Sequence, residues 1–270
     1  MHDLTAPALL DALTLLLSQA SAEILRIADG ALDAREKSDA TPVTAADEAS
    51  EAVLLTGLDR LLPGIDIISE EAAAQTTPCK PGDTFILVDP LDGTREILAG
   101  RDEYTINVAI VHGGRPLTGV LASPARGLIW RGTQGKPSEA LRIHPGEGPD
   151  RAEHKVIRTR AFSSDRPVAL VSRSHLDPQT ENFLTRWPRI EKQGCGSALK
   201  FGLLAQGEAD IYPRLAPTSE WDIAAGDAIL TGAGGRVVTP DGAPVLYGRH
   251  AGGFRIPAFI AWGDATAAQR

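Results

Sequence analysis

The chain has 270 residues, 43% hydrophobic and 23% charged, which gives enough apolar side chain for one large or two small packed units and argues against disorder. Its net charge of −8 and pI near 5.3 argue against nucleic acid or an anionic membrane as a partner held by bulk charge. A phosphorylated small molecule stays open, because a bound divalent cation reverses the local field of an acidic cleft.

The opening stretch MHDLTAPALLDALTLLLSQA places apolar residues at helical spacing, with Asp3 and Asp11 where a secretory leader would be basic. It predicts an amphipathic first helix of a cytoplasmic protein. No run approaches the roughly 20 apolar residues that span a bilayer, so a transmembrane segment is not expected, while peripheral contact on the cytoplasmic side of the inner membrane stays open. KSDATPV reads as a loop, and Thr44-Ala-Ala-Asp47 reads as a capping box that opens a helix ending near Leu62, before Pro63-Gly64.

IDIISEE and TFILVDPLDGT each read as a short apolar strand that ends in acid. YTINVAIVHGGRPLTGVLAS predicts an antiparallel hairpin that turns at Gly113-Gly114, and a strand through Leu128 to Arg131 extends its sheet. From about Gly132 to Arg166 the composition shifts to Pro, Gly and charge without periodicity, which marks a loop-rich connection. The expected division is an N-terminal α+β unit over residues 1–140 and a smaller α/β unit over 141–270. In the second unit PVALVSRS, DPQTENFLTRW, SALKFGLLAQGEA, DIYPR and WDIAAGDAILTGAGG alternate strand and helix.

Asp89-Pro90-Leu91-Asp92-Gly93-Thr94 is the most informative peptide. Its two carboxylates lie three residues apart in a turn stiffened by Pro90, and Gly93 permits close backbone approach. Such a turn can offer both acids and the Leu91 carbonyl to adjacent hard cations, with the Gly93 and Thr94 amides available to a phosphate oxygen. Each acid also has an ordinary explanation: Asp89 and Asp92 in an Asx turn, Glu70-Glu71 as the solvated start of a helix, Asp222 as an N-cap, and Asp47 in its capping box. The histidines lack ligand spacing such as HxxxH, and Cys79 and Cys195 are too few for a cluster, so zinc is not expected.

Taken together and in order, D, EE, DPLDGT and WDxAAG resemble the lithium-sensitive, magnesium-dependent phosphatase superfamily that includes inositol monophosphatases. ATPVTAAD, ISEE, VDPLDGTREI, EYTINVAIV, SRSH, GSALKFGLLAQGEADIYPR and PTSEWDIAAG are most similar to its bacterial 3′(2′),5′-bisphosphate nucleotidases of the CysQ type, from the first helix to about Gly242. The resemblance implies a layered αβαβα fold and hydrolysis of adenosine 3′,5′-bisphosphate to AMP and phosphate. The sulfated relative 3′-phosphoadenylyl sulfate is a further substrate within that implication, in the context of sulfate assimilation.

By the same resemblance Glu70, Asp89 and the Leu91 carbonyl would hold one Mg2+, and Asp89, Asp92 and Asp222 a second. Thr94 and Glu70 would orient the attacking water, and Asp47 would assist through a third metal or a water. Ser197, Lys200, Arg214 and His175 would contact the nucleotide, along with Gly93. Two departures stand out: Arg95 in the place of a frequent Lys, and AGGF (Ala251 to Phe254) in the place of an NPGF-like motif. The alternatives are an inositol or sugar monophosphatase with the same two-metal chemistry and, more remotely, a non-catalytic magnesium and nucleotide sensor. Oligomeric state is not legible.

Overall fold

The computed structural model describes residues 3–30, 34–36, 42–75, 80–174 and 176–269. Helix α1 (Pro7–Ala28) buries Leu13, Leu16, Leu17, Ala20 and Ile24, a stripe spaced by three and four residues. By length and composition α1 is long and apolar enough to cross a membrane, which corrects the expectation that no segment is. In the fold its stripe is covered by α2 (Ala45–Leu61) and by the main sheet. Between α1 and α2 a short ribbon pairs β1 (Ala34–Glu36) with β2 (Pro42–Thr44); most of the expected KSDATPV loop lies outside the described residues.

The main sheet has seven strands in chain order: β3 (Asp66–Ser69), β4 (Thr84–Asp92), β5 (Thr105–His112), β6 (Arg115–Ser123), β7 (Leu128–Thr133), β8 (Glu139–Arg142) and β9 (Glu153–Val156). Strands β3 and β4 run parallel, joined by helix α3 (Glu70–Gln75), and all later pairs are antiparallel. Helix α4 (Thr94–Leu98) leads from β4 toward β5. Gly113 and Gly114, with φ of 58° and 71°, form the two-residue turn of the predicted hairpin.

The boundary expected between residues 140 and 141 falls inside β8, and the segment read as loop-rich holds both β8 and β9. These are four-residue strands, β9 at the sheet edge and exposed throughout and β8 beside it, so neither carries a period of apolar residues long enough to read. The first sheet therefore continues to Val156.

Beyond it come β10 (Val168–Ser172), α5 (Pro178–Leu184), β11 (Glu191–Cys195), α6 (Leu199–Ala205), β12 (Ile211–Arg214), β13 (Thr218–Ser219), α7 (Ala224–Ala233), β14 (Arg236–Val238), β15 (Arg255–Ile256) and β16 (Phe259–Trp262). A second sheet has the order β11-β10-β12-β16-β14, and β13 pairs separately with β15. The connection into this sheet is fixed by Arg160, which grips the fully buried Asp210 carboxylate with two bonds of 3.0 and 2.7 Å.

Alternating β-strand residues divide the core. Ile86, Val88, Ile106 and Val108 face α1 and α2, whereas Phe85, Leu87, Ala109 and Leu121 join α6, α7 and one face of the second sheet. The other face of that sheet packs Val171, Ile211 and Trp262 against Phe183 and Leu184 of α5. The layers thus run αβαβα, as expected. Helix α7 sits unusually close to the main sheet: a Cβ added to Gly119 of β6 would stand 2.4 Å from the Ala225 carbonyl oxygen, and one on Gly132 of β7 would stand 2.8 Å from the Ile229 Cα.

Candidate active site

Strand β4, paired on both sides, carries a buried apolar run and ends in the two acids. Leu87 and, two residues later, Asp89 lie on the face that looks toward α6 and α7. Between Asp89 and Asp92 the pairing slips, so that three steps on β4 oppose two on β5 (Asp89 with Asn107, Asp92 with Thr105). The acids expected in a turn therefore sit on a bulged strand end, a device that re-aims side chains next to a site. The Ser50 hydroxyl fixes the bulge by donating to the Pro90 carbonyl at 2.6 Å, and the Leu91 N–H donates to Asp89 Oδ1 at 3.1 Å. Gly93 then adopts φ of 102° and turns the chain into α4.

Glu70 opens α3 directly after β3, and Asp222 arrives from the far side of the cleft. Ligand atoms of Glu70, Asp89 and Asp222 all lie within 4.8 Å of one another. Asp222 is not the N-cap expected from sequence. It is the third residue of a 3-10 turn just before α7, where its Oδ2 accepts the Ser219 N–H at 3.0 Å and the Thr218 hydroxyl. The turn intervenes because α7 begins only at Ala224, with Ile223 at its N-cap.

Burial, and then the negative charges of Glu70, Asp92, Asp222 and Glu71, hold the Asp89 carboxyl well above the usual range. Asp92 is pushed up to about 7, by burial first and Asp222 next, against the pull of Lys200, the Ala198 N–H and Arg214. Asp89 Oδ2 is buried without a hydrogen-bond partner. A hard cation relieves both strains, since it neutralises the clustered acids and gives the orphaned oxygen a partner, and the all-oxygen donor set suits magnesium. The residues present fit the ion.

Asp47 and Thr94 form one unit. Asp47 Oδ2 accepts the Thr44 N–H and hydroxyl, both at 2.7 Å, as the capping box predicted, and its Oδ1 accepts the Thr94 hydroxyl at 3.0 Å. The helix cap and the contact to Thr94 are made by the same carboxylate.

Glu70, Asp92, Thr94 and Asp222 line a cleft of about 520 Å3 that also carries four cationic side chains, Arg95, Lys200, Arg214 and Arg255. Lys200 is buried, its Nζ directed to the carbonyls of Cys195 and Ser197 and over the Tyr212 ring at 4.9 Å. Its charge reaches the cleft while its bonds shape the loop. Arg214 donates to the Pro217 carbonyl at 3.4 Å. Ser197 lines the cleft with φ of 47°. His175 lies outside the described residues, as does Cys79. Burial pushes the Cys195 thiol up to about 11, which leaves it inert as a nucleophile.

Trp221 lines the cleft with its ring 6.4 Å from that of Phe254. The AGGF departure is accommodated: the buried Phe254 takes φ of 55° and its carbonyl accepts the Glu220 N–H at 2.8 Å. Sequence reading missed Arg255, which donates to Ser219 Oγ at 3.2 Å, and Glu103, which binds the Gly196 N–H at 2.9 Å. No local pattern marks either residue.

The chain matches the inositol monophosphatase family over residues 7–261. It is 35% identical over 241 residues to the 3′(2′),5′-bisphosphate nucleotidase CysQ of Escherichia coli O157:H7, covering 88% of this chain and 94% of that protein. The histidinol-phosphatase of Mycobacterium tuberculosis is 31% identical over 243 residues, with 89% and 90% covered. Among solved structures, CysQ from Bacteroides thetaiotaomicron superimposes with a TM-score of 0.76 at 29% identity, over 94% of this chain and 96% of that one. With the carboxylates of β4, α3 and the turn before α7 converging in a layered αβαβα fold, the chain belongs to the inositol monophosphatase family.

Proposed function

We propose that the chain hydrolyses the 3′-phosphate of adenosine 3′,5′-bisphosphate to give AMP and phosphate, and that it accepts 3′-phosphoadenylyl sulfate in the same way. The observation that carries the reading is a cleft lined both by acids, Glu70, Asp92 and Asp222 with the orphaned Asp89 oxygen buried in their cluster, and by the cations Lys200 and Arg214. A substrate with two phosphates needs cations beyond those at the scissile group. The nucleotidase relatives support that choice over other phosphomonoesters.

Glu70, Asp89, Asp92, Asp222 and the Leu91 carbonyl would hold two Mg2+, with Asp47 beside a third position. Bound magnesium makes water acidic enough to attack near neutral pH and stabilises the departing alkoxide. Thr94 donates its hydroxyl proton to Asp47, so its lone pairs accept a hydrogen bond from the attacking water and orient it. Glu70, at the cluster edge, accepts a hydrogen bond from the other O–H of that water and fixes its line of attack; the proton that this water loses and the one that the departing 3′ oxygen gains are exchanged with solvent. Ser197, Lys200 and Arg214 take the remote phosphate, whose binding orients the scissile one. Lithium is expected to inhibit by occupying a magnesium position.

The histidinol-phosphatase relative favours a second reading, a phosphomonoester of a small non-nucleotide alcohol. Phosphate release from adenosine 3′,5′-bisphosphate, inositol 1-phosphate and histidinol phosphate, with magnesium and with or without lithium, separates them. A nucleotide preference above about tenfold in kcat/KM is the expected result. Preference for either other substrate refutes the substrate and keeps the chemistry, whereas tight nucleotide binding without turnover would indicate a sensor.

A further inference from the structure

Beside the cleft, segments from the two halves meet in a network that reaches beyond the residues assigned to metal and phosphate. Glu103, between α4 and β5, receives Arg173, just past β10, in a two-pronged contact of 2.8 Å (Nε to Oε2) and 2.6 Å (Nη2 to Oε1). The same Oε2 accepts the Gly196 N–H at 2.9 Å, and Arg173 Nη2 also donates to the Gly194 carbonyl at 2.5 Å. Asp92 Oδ2 accepts the Ala198 N–H at 2.6 Å, while Lys200 Nζ holds the carbonyls of Cys195 and Ser197.

Residues 194–198 are thus held by carboxylates on their amides and by cations on their carbonyls. Between the two carboxylate-held amides stands Ser197 in the left-handed region, a conformation that a residue with a Cβ adopts only under constraint. Gly196 is where the loop touches the first half most closely: an added Cβ would stand 2.7 Å from the Glu103 carbonyl oxygen and 2.7 Å from Glu96 Cγ. A second tie runs alongside, from Ser174 Oγ to Glu96 Oε1 at 2.9 Å. The Glu103 side chain is 13% exposed and that of Arg173 40%, so the carboxylate is the shielded partner, and the forked geometry, not burial, sets this pair apart from an ordinary surface ion pair.

We infer that Glu103 and Arg173 form a latch that holds the strained 194–198 loop and thereby places Ser197 and Lys200 for substrate. They are positioning residues, since neither touches the acid cluster. The inference rests on reading the cleft as a phosphatase site and is independent of which phosphomonoester enters it.

The test uses full-length Glu103→Gln, Arg173→Lys and Gly196→Ala, with Arg160→Gln as a reference that breaks a forked pair away from the cleft. KM and kcat are measured on whichever of the three phosphomonoesters the wild type hydrolyses best, together with Tm and amide hydrogen exchange. For Glu103→Gln and Gly196→Ala, KM rises about tenfold while kcat stays within about threefold. Arg173→Lys, which keeps the charge and loses the fork, falls between, and exchange at Gly196 and Ala198 quickens in all three. Arg160→Gln lowers Tm without that rise in KM. The latch is overturned if KM stays within about twofold of wild type, or if KM follows Tm alike in all four variants. Should the nucleotide prove a poor substrate, the proposed function falls while the latch is still decided on the better one. If no phosphomonoester is hydrolysed, unchanged exchange overturns it and faster exchange supports it.

Discussion

Asp227 offers a sharp test of the electrostatics inside this fold, away from the site. It lies buried in α7, where its Oδ2 accepts the Tyr247 hydroxyl at 2.9 Å and its Oδ1 the Thr231 hydroxyl at 3.3 Å. Burial pushes its pKa from 3.8 up to about 6, against the pull of Arg115 and these two hydroxyls. The folded state therefore holds the proton more tightly than the unfolded chain does. Its contribution to stability is fully present below pH 4 and is lost as the pH rises through 6. A shift of about two units corresponds to ~3 kcal/mol at pH 7.5. Asp227→Asn mimics the protonated form and keeps a carbonyl for Tyr247, so it stabilises at pH 7.5 and not at pH 4. With an unfolding entropy of roughly 2.1 cal/mol/K per residue over 270 residues, the gain in Tm is about 5 °C. Calorimetry of both proteins at the two pH values measures it. A Tm gain equal at both pH values, or a loss at pH 7.5, would refute the reasoning.

Asp89→Asn removes the charge at the centre of the cluster. Phosphate release should fall by about a thousandfold or more, and the rise in Tm on adding magnesium should vanish, although the metal-free protein melts no lower than wild type. Thr94→Val deletes the hydroxyl held by Asp47. It should cost about a hundredfold in kcat with little change in magnesium half-saturation, whereas Thr94→Ser retains most of the rate. Lys200→Met leaves the carbonyls of Cys195 and Ser197 without their ammonium, so Tm should drop by about 4 °C and KM should rise.

Much of this site was readable because its acids sit in peptides whose local chemistry is unusual. Asp89-Pro90-Leu91-Asp92 ends β4, Glu70-Glu71 directly follows β3, and Asp47 closes a capping box that sequence alone predicts. Other features depend on packing that leaves no local mark. The turn that seats Asp222 exists because Ser219, not Asp222, caps it, and a string of acid, Ile and small residues reads equally as a helix start. Lys200 was legible as a cation near the cleft, but not as one whose donors turn back to its own loop. The Glu103–Arg173 pair joins residues 70 positions apart, beyond any sequence period. Strands β8 and β9 escaped because four residues are too few for alternation to show.

The glycines under α7 extend the site's demands to places with no chemistry of their own. Asp222 is delivered by the turn that leads into α7, and α7 rests on the sheet where residues 119 and 132 lack a side chain. The spacing between two layers of the fold thus acts as a ruler for the distance between Asp222 and Asp89. Two missing methyl groups set that ruler, so natural drift at positions 119 and 132 is expected to be as tightly confined as drift at the carboxylates themselves.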